Sequence, residues 1–241
     1  MLFLKCGNSA ELDVLQFLYS ALCPFFHKKL SGVAGSMEIV CLDLEGVLVP
    51  EIWIGVAEKT GIQGLRATTR DIPNYDELMK QRLRIMDENG LGLTVIQEVI
   101  NGLGPMNGAR EFLAWLKSEF QVIILSDTFY EFAHPLMRQL EWPTIFCHRL
   151  ETDEAGRILN YHLRMKDHKR EAVRAFKSLN YTVYAAGDSY NDTNMLTEAD
   201  AGFLFKAPDK VIQEFPQFPV TRTYSELKAK LFSARAKVAP M

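Results

Sequence analysis

The chain has 241 residues, of which 48% are hydrophobic and 24% charged, and its formal net charge is −3. These values are ordinary for a globular protein and exclude an intrinsically disordered chain. Acidic and basic residues are interspersed, and the uninterrupted apolar runs are too short to span a bilayer. We therefore expect neither a nucleic-acid partner nor insertion into a membrane.

The first 36 residues have a different character from the rest of the chain. Apolar residues over 12–25 have near-helical spacing, Pro24 interrupts them, and the segment at 31–36 is typical of a flexible linker. Every strand that the sequence predicts begins after this segment. Residues 1–36 are therefore predicted to be a dispensable N-terminal extension, with translation starting at Met37, or alternatively a surface or membrane-peripheral helix.

Four cysteines, Cys6, Cys23, Cys41 and Cys147, are scattered along the chain without a C-x-x-C pair. Their spacing predicts neither a zinc site nor a disulfide framework. Free thiols used in this way are typical of proteins from a reducing compartment, so a cytoplasmic location is expected. The oligomeric state stays open, with a homodimer as one option.

Apolar runs that end abruptly at polar residues predict buried strands along the rest of the chain. Because these runs do not alternate with polar residues, they are typical of a parallel sheet that helices cover on both faces. Two further extended runs, joined by Asp-Glu-Ala-Gly, predict a hairpin over 148–163. The buried strands are expected at 38–44, 120–126, 181–188 and 201–205.

Helical patterns separate these strands. Pro135 is expected to bend or restart one of the helices, because proline cannot donate the backbone hydrogen bond of a helix interior. Asp167 is expected to cap the start of another. The helices are expected at 108–120, 129–140, 167–180 and 191–200.

Directly after the first strand, residues 50–104 replace the alternation with three helical segments, each followed by a glycine. This block indicates a small helical cap inserted into the sheet domain. The predicted fold is therefore α/β, with a parallel Rossmann-like sheet formed by 37–49 and 105–241 and a cap at 50–104.

Polar side chains follow three of the predicted strands. Asp43 and Glu45 come after the first, Ser126 ends the second, and Asp188 follows the third. The carboxyl ends of parallel strands meet at one edge of a sheet, where ligands bind. Carboxylates suit Mg²⁺, while a hydroxyl and a lysine such as Lys169 suit a phosphate. A carboxylate held beside a phosphorus atom is a nucleophile.

Taken together, four segments resemble the motifs of the haloacid dehalogenase superfamily. They are DLEGV at 43–47, the apolar run that ends in Ser126, Lys169 at a helix start, and GDSYND at 187–192. The helical block after the first motif resembles the smaller cap type of this superfamily. The chain from Met37 onward is most similar to phosphoserine phosphatases, and to the subgroup that also acts as phosphoserine:homoserine phosphotransferases.

This resemblance implies catalytic and metal-binding roles. Asp43 would be the nucleophile that forms an aspartyl-phosphate, and Glu45 would be the general acid and then the base. Mg²⁺ would be held by Asp43, the Glu45 backbone carbonyl and Asp188, with Asp192 behind them.

The resemblance also implies how a substrate would be held. Ser126 and Lys169 would bind the phosphate, and Asn191 would also touch it. In the cap, Glu51 resembles the residue that meets a substrate amine, and Arg82 the one that meets the substrate carboxylate. The implied substrate is O-phospho-L-serine.

Two positions depart from the family pattern. Most relatives have Asp where this chain has Glu45, and many have glycine where Asp127 follows the second-motif serine. Asp127 is placed with the substrate-binding residues, and both departures leave water or homoserine open as the acceptor. Lys166 and Arg170 compete with Lys169 for the role of phosphate ligand, since all three lie at the same helix entry.

Two other functions remain open. The core could serve a phosphatase for another small metabolite or a nucleotide, and a base-stacking aromatic pair in the cap would favour the nucleotide. A catalytically idle binding module is the second alternative, which the presence of Asp43 and Asp188 disfavours.

The histidines at 134, 148 and 162 show no metal-ligand spacing and are predicted to be structural or on the surface. Trp53, with the cap methionines, is predicted to be cap core.

Overall fold

The computed structural model describes residues 37–68, 71–72 and 74–238, so the predicted N-terminal extension lies outside the described residues. Up to residue 205, strands and helices follow each other in the order that the sequence predicts, whereas the two helices and the short strand after it were not predicted. In chain order the elements are β1 (Met37–Leu42), α1 (Ile52–Thr60), a 3₁₀ turn (Gln63–Arg66), α2 (Tyr75–Glu88), α3 (Leu93–Leu103), α4 (Ala109–Glu119), β2 (Gln121–Phe129), α5 (Tyr130–Gln139), β3 (Ile145–Thr152), β4 (Ile158–His162), α6 (His168–Ser178), β5 (Tyr181–Gly187), a second 3₁₀ turn (Tyr190–Asp192), α7 (Thr193–Glu198), β6 (Ala201–Phe205), α8 (Asp209–Glu214), β7 (Val220–Thr221) and α9 (Tyr224–Val238).

The strands of the described residues form one sheet in the order β4-β3-β2-β1-β5-β6-β7. Neighbouring strands are parallel except β3 and β4, which form the predicted hairpin. The central strand β1 is buried on both faces: Val40 and Leu42 join one apolar cluster, whereas Ile39 and Cys41 join the other. This explains its continuous apolar sequence, and the predicted α/β fold with a mostly parallel sheet is confirmed.

Residues 50–104 contain α1, the first 3₁₀ turn, α2 and α3, and their described part contains no strand. The helical character predicted for this segment is therefore confirmed. The turn of the β3–β4 hairpin, which belongs to the sheet, makes hydrogen bonds to residues 50–104. Arg157 donates two hydrogen bonds to Asp87 of α2, at 2.7 and 3.0 Å, and the Leu93 N–H donates to Gly156 O at 2.8 Å.

Helix α5 continues through Pro135 instead of restarting there. Proline removes the N–H that would normally bond to the carbonyl of Glu131, one turn earlier. In this fold Gln97 Nε2, from α3, donates to that carbonyl at 2.7 Å. A donor from a neighbouring helix thus satisfies the group that the proline leaves unpaired.

Two other local features differ from expectation. Asp167 occupies the position before α6, but its backbone has a φ of 49° and its side chain makes no capping hydrogen bond. The carboxylate instead accepts from Asn194 Nδ2 at 3.0 Å. Strand β2 extends past Ser126 to Phe129, so Ser126 lies on the strand itself.

In the part of the chain described here, no helix combines the length and the apolar character that crossing a bilayer requires.

Candidate active site

A cleft of about 840 Å³ lies where the carboxyl ends of the central strands face helices α1 and α2. Residues from both the sheet domain and the helical segment line it. Lys169 and Asp192 are buried close to its acidic wall, at 2% and 0% exposure. The predicted site residues that line the cleft are Asp43, Glu45, Glu51, Arg82, Ser126, Asp127, Asp188 and Asn191.

The Lys169 ammonium is the centre of the acidic wall. Its Nζ lies 3.0 Å from Oδ1 of Asp43, 2.8 Å from Oδ1 of Asp192 and 3.2 Å from Oδ2 of Asp127. Burial alone would lower the pKa of Lys169, but the three carboxylates hold it well above its ordinary value. Lys169 is therefore a fixed positive charge beside Asp43.

The other two basic candidates at this helix entry do not reach this wall. Lys166 is exposed, and Arg170 pairs with Glu198 at 2.9 Å. Lys169 is the one that α6 turns inward, because it lies on the buried face of the helix start. The structure therefore distinguishes three residues that the sequence left in competition.

Asp192 organises the loop after β5. Its Oδ2 accepts the backbone N–H groups of Asp188 and Ser189, at 3.0 and 3.1 Å, while Oδ1 accepts from Lys169. A Cβ atom on Gly187 would lie 2.4 Å from Asp192 Cγ, so any residue other than glycine at position 187 would collide with the Asp192 side chain. Because the Asp192 oxygens are already bonded within the protein, Asp43 and Asp188 are the carboxylates left to face a ligand.

The acidic cluster fits a hard divalent cation. Carboxylate oxygens of Asp43, Asp188 and Asp192 all lie within 4.8 Å of one another. Burial, and then repulsion from neighbouring acids, raises the pKa of Asp43 well above its usual range and that of Asp188 to about 7. One ammonium does not balance this charge, and an oxygen-only donor set is what Mg²⁺ prefers.

Glu45 has the environment of a group that keeps its proton near neutral pH. Its Oε2 accepts from the Ile52 N–H at 3.0 Å, at the start of α1. Burial, and then the neighbouring Glu51 carboxylate, raises the pKa of Glu45 to about 8. Glu51 itself is exposed at the edge of the cleft.

Arg82 reaches the cleft from α2 and is almost fully buried. Its guanidinium carbon lies 4.3 Å from the centre of the Trp53 ring, and Nη2 donates to Ala67 O at 2.8 Å. Nε is buried and has no hydrogen-bond partner in the described part of the chain. A guanidinium that lines a cleft suits an anionic group of a ligand. Trp53, predicted as cap core, is buried but also lines the cleft.

A second cluster was missed by sequence reasoning. His148 of β3 and His168 of α6 both lie beside Asp127, with ligand atoms within 4.8 Å of one another. The two histidines are 20 positions apart and show no ligand spacing. The only sequence signals are that Asp127 follows Ser126 and that His168 precedes Lys169.

Comparisons with known proteins identify the family of this chain. The sequence profile of haloacid dehalogenase-like hydrolases matches residues 37–200. A protein of Pseudomonas syringae pv. tomato named phosphoserine phosphatase is 67% identical over 199 residues, which are 83% of this chain and 84% of that protein. A Pseudomonas aeruginosa protein named phosphoserine phosphatase ThrH is 66% identical over 201 residues, which are 83% of this chain and 98% of that protein.

Solved structures show the same fold at low sequence identity. A structure described as a phospho-aspartyl intermediate analogue of phosphoserine phosphatase superimposes with a TM-score of 0.66 and 17% identity, covering 81% of this chain and 99% of the other. Phosphoserine phosphatase from T. onnurineus gives a TM-score of 0.59 and 21% identity, with coverage of 82% and 96%. The chain belongs to the haloacid dehalogenase-like hydrolases, in the branch that contains bacterial proteins named phosphoserine phosphatase.

Proposed function

We propose that this protein is a Mg²⁺-dependent phosphatase that hydrolyses O-phospho-L-serine through an aspartyl-phosphate on Asp43. The observation that carries the proposal is that one cleft is lined both by the acid pair Asp43 and Glu45 and by the cap pair Glu51 and Arg82. Two relatives that bear the name phosphoserine phosphatase, and that are 67% identical over 199 residues and 66% identical over 201 residues, support it.

Asp43 is the group that attacks phosphorus. Lys169 at 3.0 Å and the Leu44 N–H at 2.7 Å both bind its Oδ1, which leaves Oδ2 for the reaction. A bond forms from Oδ2 to phosphorus while the bond from phosphorus to the serine oxygen breaks. The Glu45 carboxyl, with its pKa raised to about 8, gives its proton to the departing serine oxygen.

The second half of the reaction reverses the role of Glu45. The Glu45 carboxylate takes a proton from water, and the water oxygen attacks phosphorus. The bond from phosphorus to Asp43 then breaks, which releases phosphate and restores both carboxyl groups to their starting states.

Other residues of the cleft hold the phosphate during both halves. Ser126 and Asn191 donate to phosphate oxygens, and Lys169 offsets their negative charge. Mg²⁺, held by Asp43, the Glu45 carbonyl and Asp188, would neutralise further charge on the phosphate when bound. Positioning and charge neutralisation of this kind supply most of the catalysis in phosphoryl transfer.

The cap side of the cleft suits an amino-acid phosphate. Glu51 matches the substrate ammonium, and the Arg82 guanidinium, which lines the same cleft, matches its carboxylate. A nucleotide would need an aromatic face for its base. Three aromatic residues line the cleft: Arg82 covers the Trp53 ring, and Tyr75 and Tyr190 make edge contacts with Tyr161 and Phe215, so the described rings form no stacked pair for a base. We therefore favour phosphoserine over a nucleotide.

Homoserine is the second acceptor that we propose. Its hydroxyl would replace water in the second half of the reaction, with Glu45 again removing the proton. The motifs DLEGV, SDT and GDSYND, which resemble those of the bifunctional subgroup, favour this addition.

One assay tests both acceptors. Purified protein with Mg²⁺ is given phosphoserine, with and without homoserine, and released phosphate and phosphohomoserine are measured together. We expect phosphate release without homoserine, and part of the phosphoryl groups on homoserine when it is present. An aryl phosphate is the matched control for general phosphatase activity. Hydrolysis of the aryl phosphate without any reaction of phosphoserine would contradict the proposed substrate.

A further inference from the structure

The cluster of Asp127, His148 and His168 has no part in the chemistry proposed above. Both histidine rings are buried, and their centres are 4.6 Å apart. His168 Nε2 lies 3.1 Å, and His148 Nε2 3.6 Å, from Oδ1 of Asp127. The other oxygen, Oδ2, lies 3.2 Å from Lys169 Nζ and accepts a hydrogen bond from Asn191 Nδ2.

The hydrogen bonds of the two rings determine what this cluster can do. The backbone N–H of Arg164 donates to His148 Nδ1 at 3.1 Å. The neutral ring therefore carries its proton on Nε2, the atom that faces Asp127. Burial lowers the pKa of His168, which keeps that ring neutral too, and its Nε2 is the atom next to the carboxylate.

These protons argue against a metal site in the cluster and turn the N–H groups of the two rings toward Asp127. A ring nitrogen must be unprotonated to bind a metal ion. For His148 that would require Nδ1 to carry the proton, where it would meet the Arg164 N–H. With both Nε2 atoms protonated, His168 donates a hydrogen bond to Oδ1 of Asp127 at 3.1 Å, and the Nε2–H of His148 lies 3.6 Å from the same oxygen, where it contributes a favourable dipole rather than a hydrogen bond.

Asp127 needs such support because of where it lies. Of the three carboxylates around Lys169, Asp43 and Asp192 have side-chain exposures of 6% and 0%, whereas that of Asp127 is 35%. An ion pair open to solvent holds its side chains only weakly. The His168 hydrogen bond to Oδ1 at 3.1 Å, with the buried His148 ring packed beside the same oxygen at 3.6 Å, keeps Oδ2 turned toward Lys169 and Asn191.

We propose that His148 and His168 are positioning residues, which hold the Asp127 carboxylate in place so that it orients Lys169 and Asn191 toward the phosphate. The inference rests on the proposed function, in which Lys169 and Asn191 bind that phosphate. It assigns to Asp127 an indirect part in phosphate binding, through the two groups that its Oδ2 contacts.

The test uses His168, whose ring nitrogen is the nearer one. His168→Leu removes the donor, whereas His168→Gln keeps an N–H at about the position of Nε2. Inorganic phosphate is the probe, and its inhibition constant is measured together with KM for phosphoserine and for an aryl phosphate. We expect all three values to rise roughly tenfold or more in His168→Leu, the loss of about one charge-assisted hydrogen bond.

Two variants serve as controls for this effect. His168→Gln should restore values close to those of the wild type. His134→Leu changes an exposed histidine that packs against Trp142 and is not among the residues that line the cleft, and it should leave all three values unchanged. Equal loss in His168→Leu and His168→Gln would overturn the proposal, because the donor would then not be the property that matters.

A double-mutant cycle shows whether His168 acts through Asp127. His168→Leu should weaken phosphate binding in the wild-type background and add little in an Asp127→Asn background. A full additional loss in that background would contradict the proposal. If His168→Leu does not fold, Asp127→Asn alone decides the outcome, since an unchanged inhibition constant for phosphate would then refute the positioning role.

Lys169→Ala separates this inference from the proposed function. If Lys169→Ala leaves the inhibition constant of phosphate unchanged, the phosphate-binding role of Lys169 is itself wrong. If Lys169→Ala raises the constant while His168→Leu does not, the phosphate site stands and the positioning role of the histidine is wrong.

Discussion

A Cβ atom on Gly46 would lie 2.4 Å from Cγ of Asp188, so the loop after β1 can approach the loop after β5 only if residue 46 has no side chain. Gly46 also has a φ of +71°, in the left-handed region that favours glycine. Two independent features therefore require glycine at position 46. One is its left-handed backbone, and the other is the Asp188 carboxylate, which lies 142 positions away in the sequence.

Gly46→Ala should weaken Mg²⁺ binding, because the added methyl group would displace the Asp188 carboxylate. Gly61→Ala is the matched control, since Gly61 has a φ of +74° but a Cβ there would meet nothing within 4 Å. Both variants should lose about 1 kcal/mol of unfolding free energy from the left-handed backbone. Only Gly46→Ala should need more Mg²⁺ for half-maximal activity. The same Mg²⁺ requirement in both variants would show that the close approach to Asp188 has no bearing on the metal.

Arg82→Ala should raise KM for phosphoserine and leave KM for an aryl phosphate nearly unchanged. The variant would lose a charge-assisted hydrogen bond to the substrate carboxylate, which is worth about 1.5–3 kcal/mol. Arg66→Ala, which removes an exposed arginine paired with Glu58, is the control for a lost positive charge. Equal damage to both substrates would indicate that Arg82, which packs on Trp53, supports the fold instead.

The raised pKa of Glu45 predicts a difference between two pH profiles. A general acid works in its protonated form, and burial with Glu51 raises the pKa of Glu45 to about 8. The kcat/KM for phosphoserine should therefore fall as the pH rises through about 8. An aryl phosphate has a leaving group that needs no proton, so its kcat/KM should lack this decline. Glu45→Gln should remove the inflection for phosphoserine and lower its kcat/KM by roughly 10²–10⁴-fold.

Deletion of residues 1–36 should leave phosphoserine hydrolysis intact. All the proposed site residues lie at position 43 or later, and the match to the hydrolase family begins at residue 37. Activity and thermal midpoint of the shortened and full-length chains are compared under the same Mg²⁺ concentration. A shortened protein that folds and yet does not hydrolyse phosphoserine would show that the segment belongs to the active enzyme.

The sequence is informative about Asp43, Ser126 and Asp188 because each follows a continuous apolar run, which is a local signal. The rule that the carboxyl ends of parallel strands share one edge then brings them together without any knowledge of distances. Lys169 is distinguished from Lys166 and Arg170 only by the orientation of α6, because that orientation determines which basic side chain is buried.

Contacts that link distant elements were beyond such reasoning. The role of His148 depends on the Arg164 backbone and on β3 lying beside β2, neither of which a residue pattern encodes. Pro135 ends no helix because Gln97, from another helix, satisfies the carbonyl that it leaves unpaired. In both places a hydrogen bond between distant parts of the chain determines the local structure, and the local sequence does not predict that bond.

If Asp43 carries the phosphoryl group, intact-protein mass spectrometry of Glu45→Gln should detect that group on the protein. Without a base to activate water, this variant should react once with an aryl phosphate and then stall. After a rapid acid quench we expect the mass of one added phosphoryl group, located on Asp43 by peptide mapping and absent from Asp43→Asn. A phosphoryl group that maps to another residue, or a mass gain that persists in Asp43→Asn, would contradict this role of Asp43, and turnover of phosphoserine by Glu45→Gln at the wild-type rate would contradict the role of Glu45.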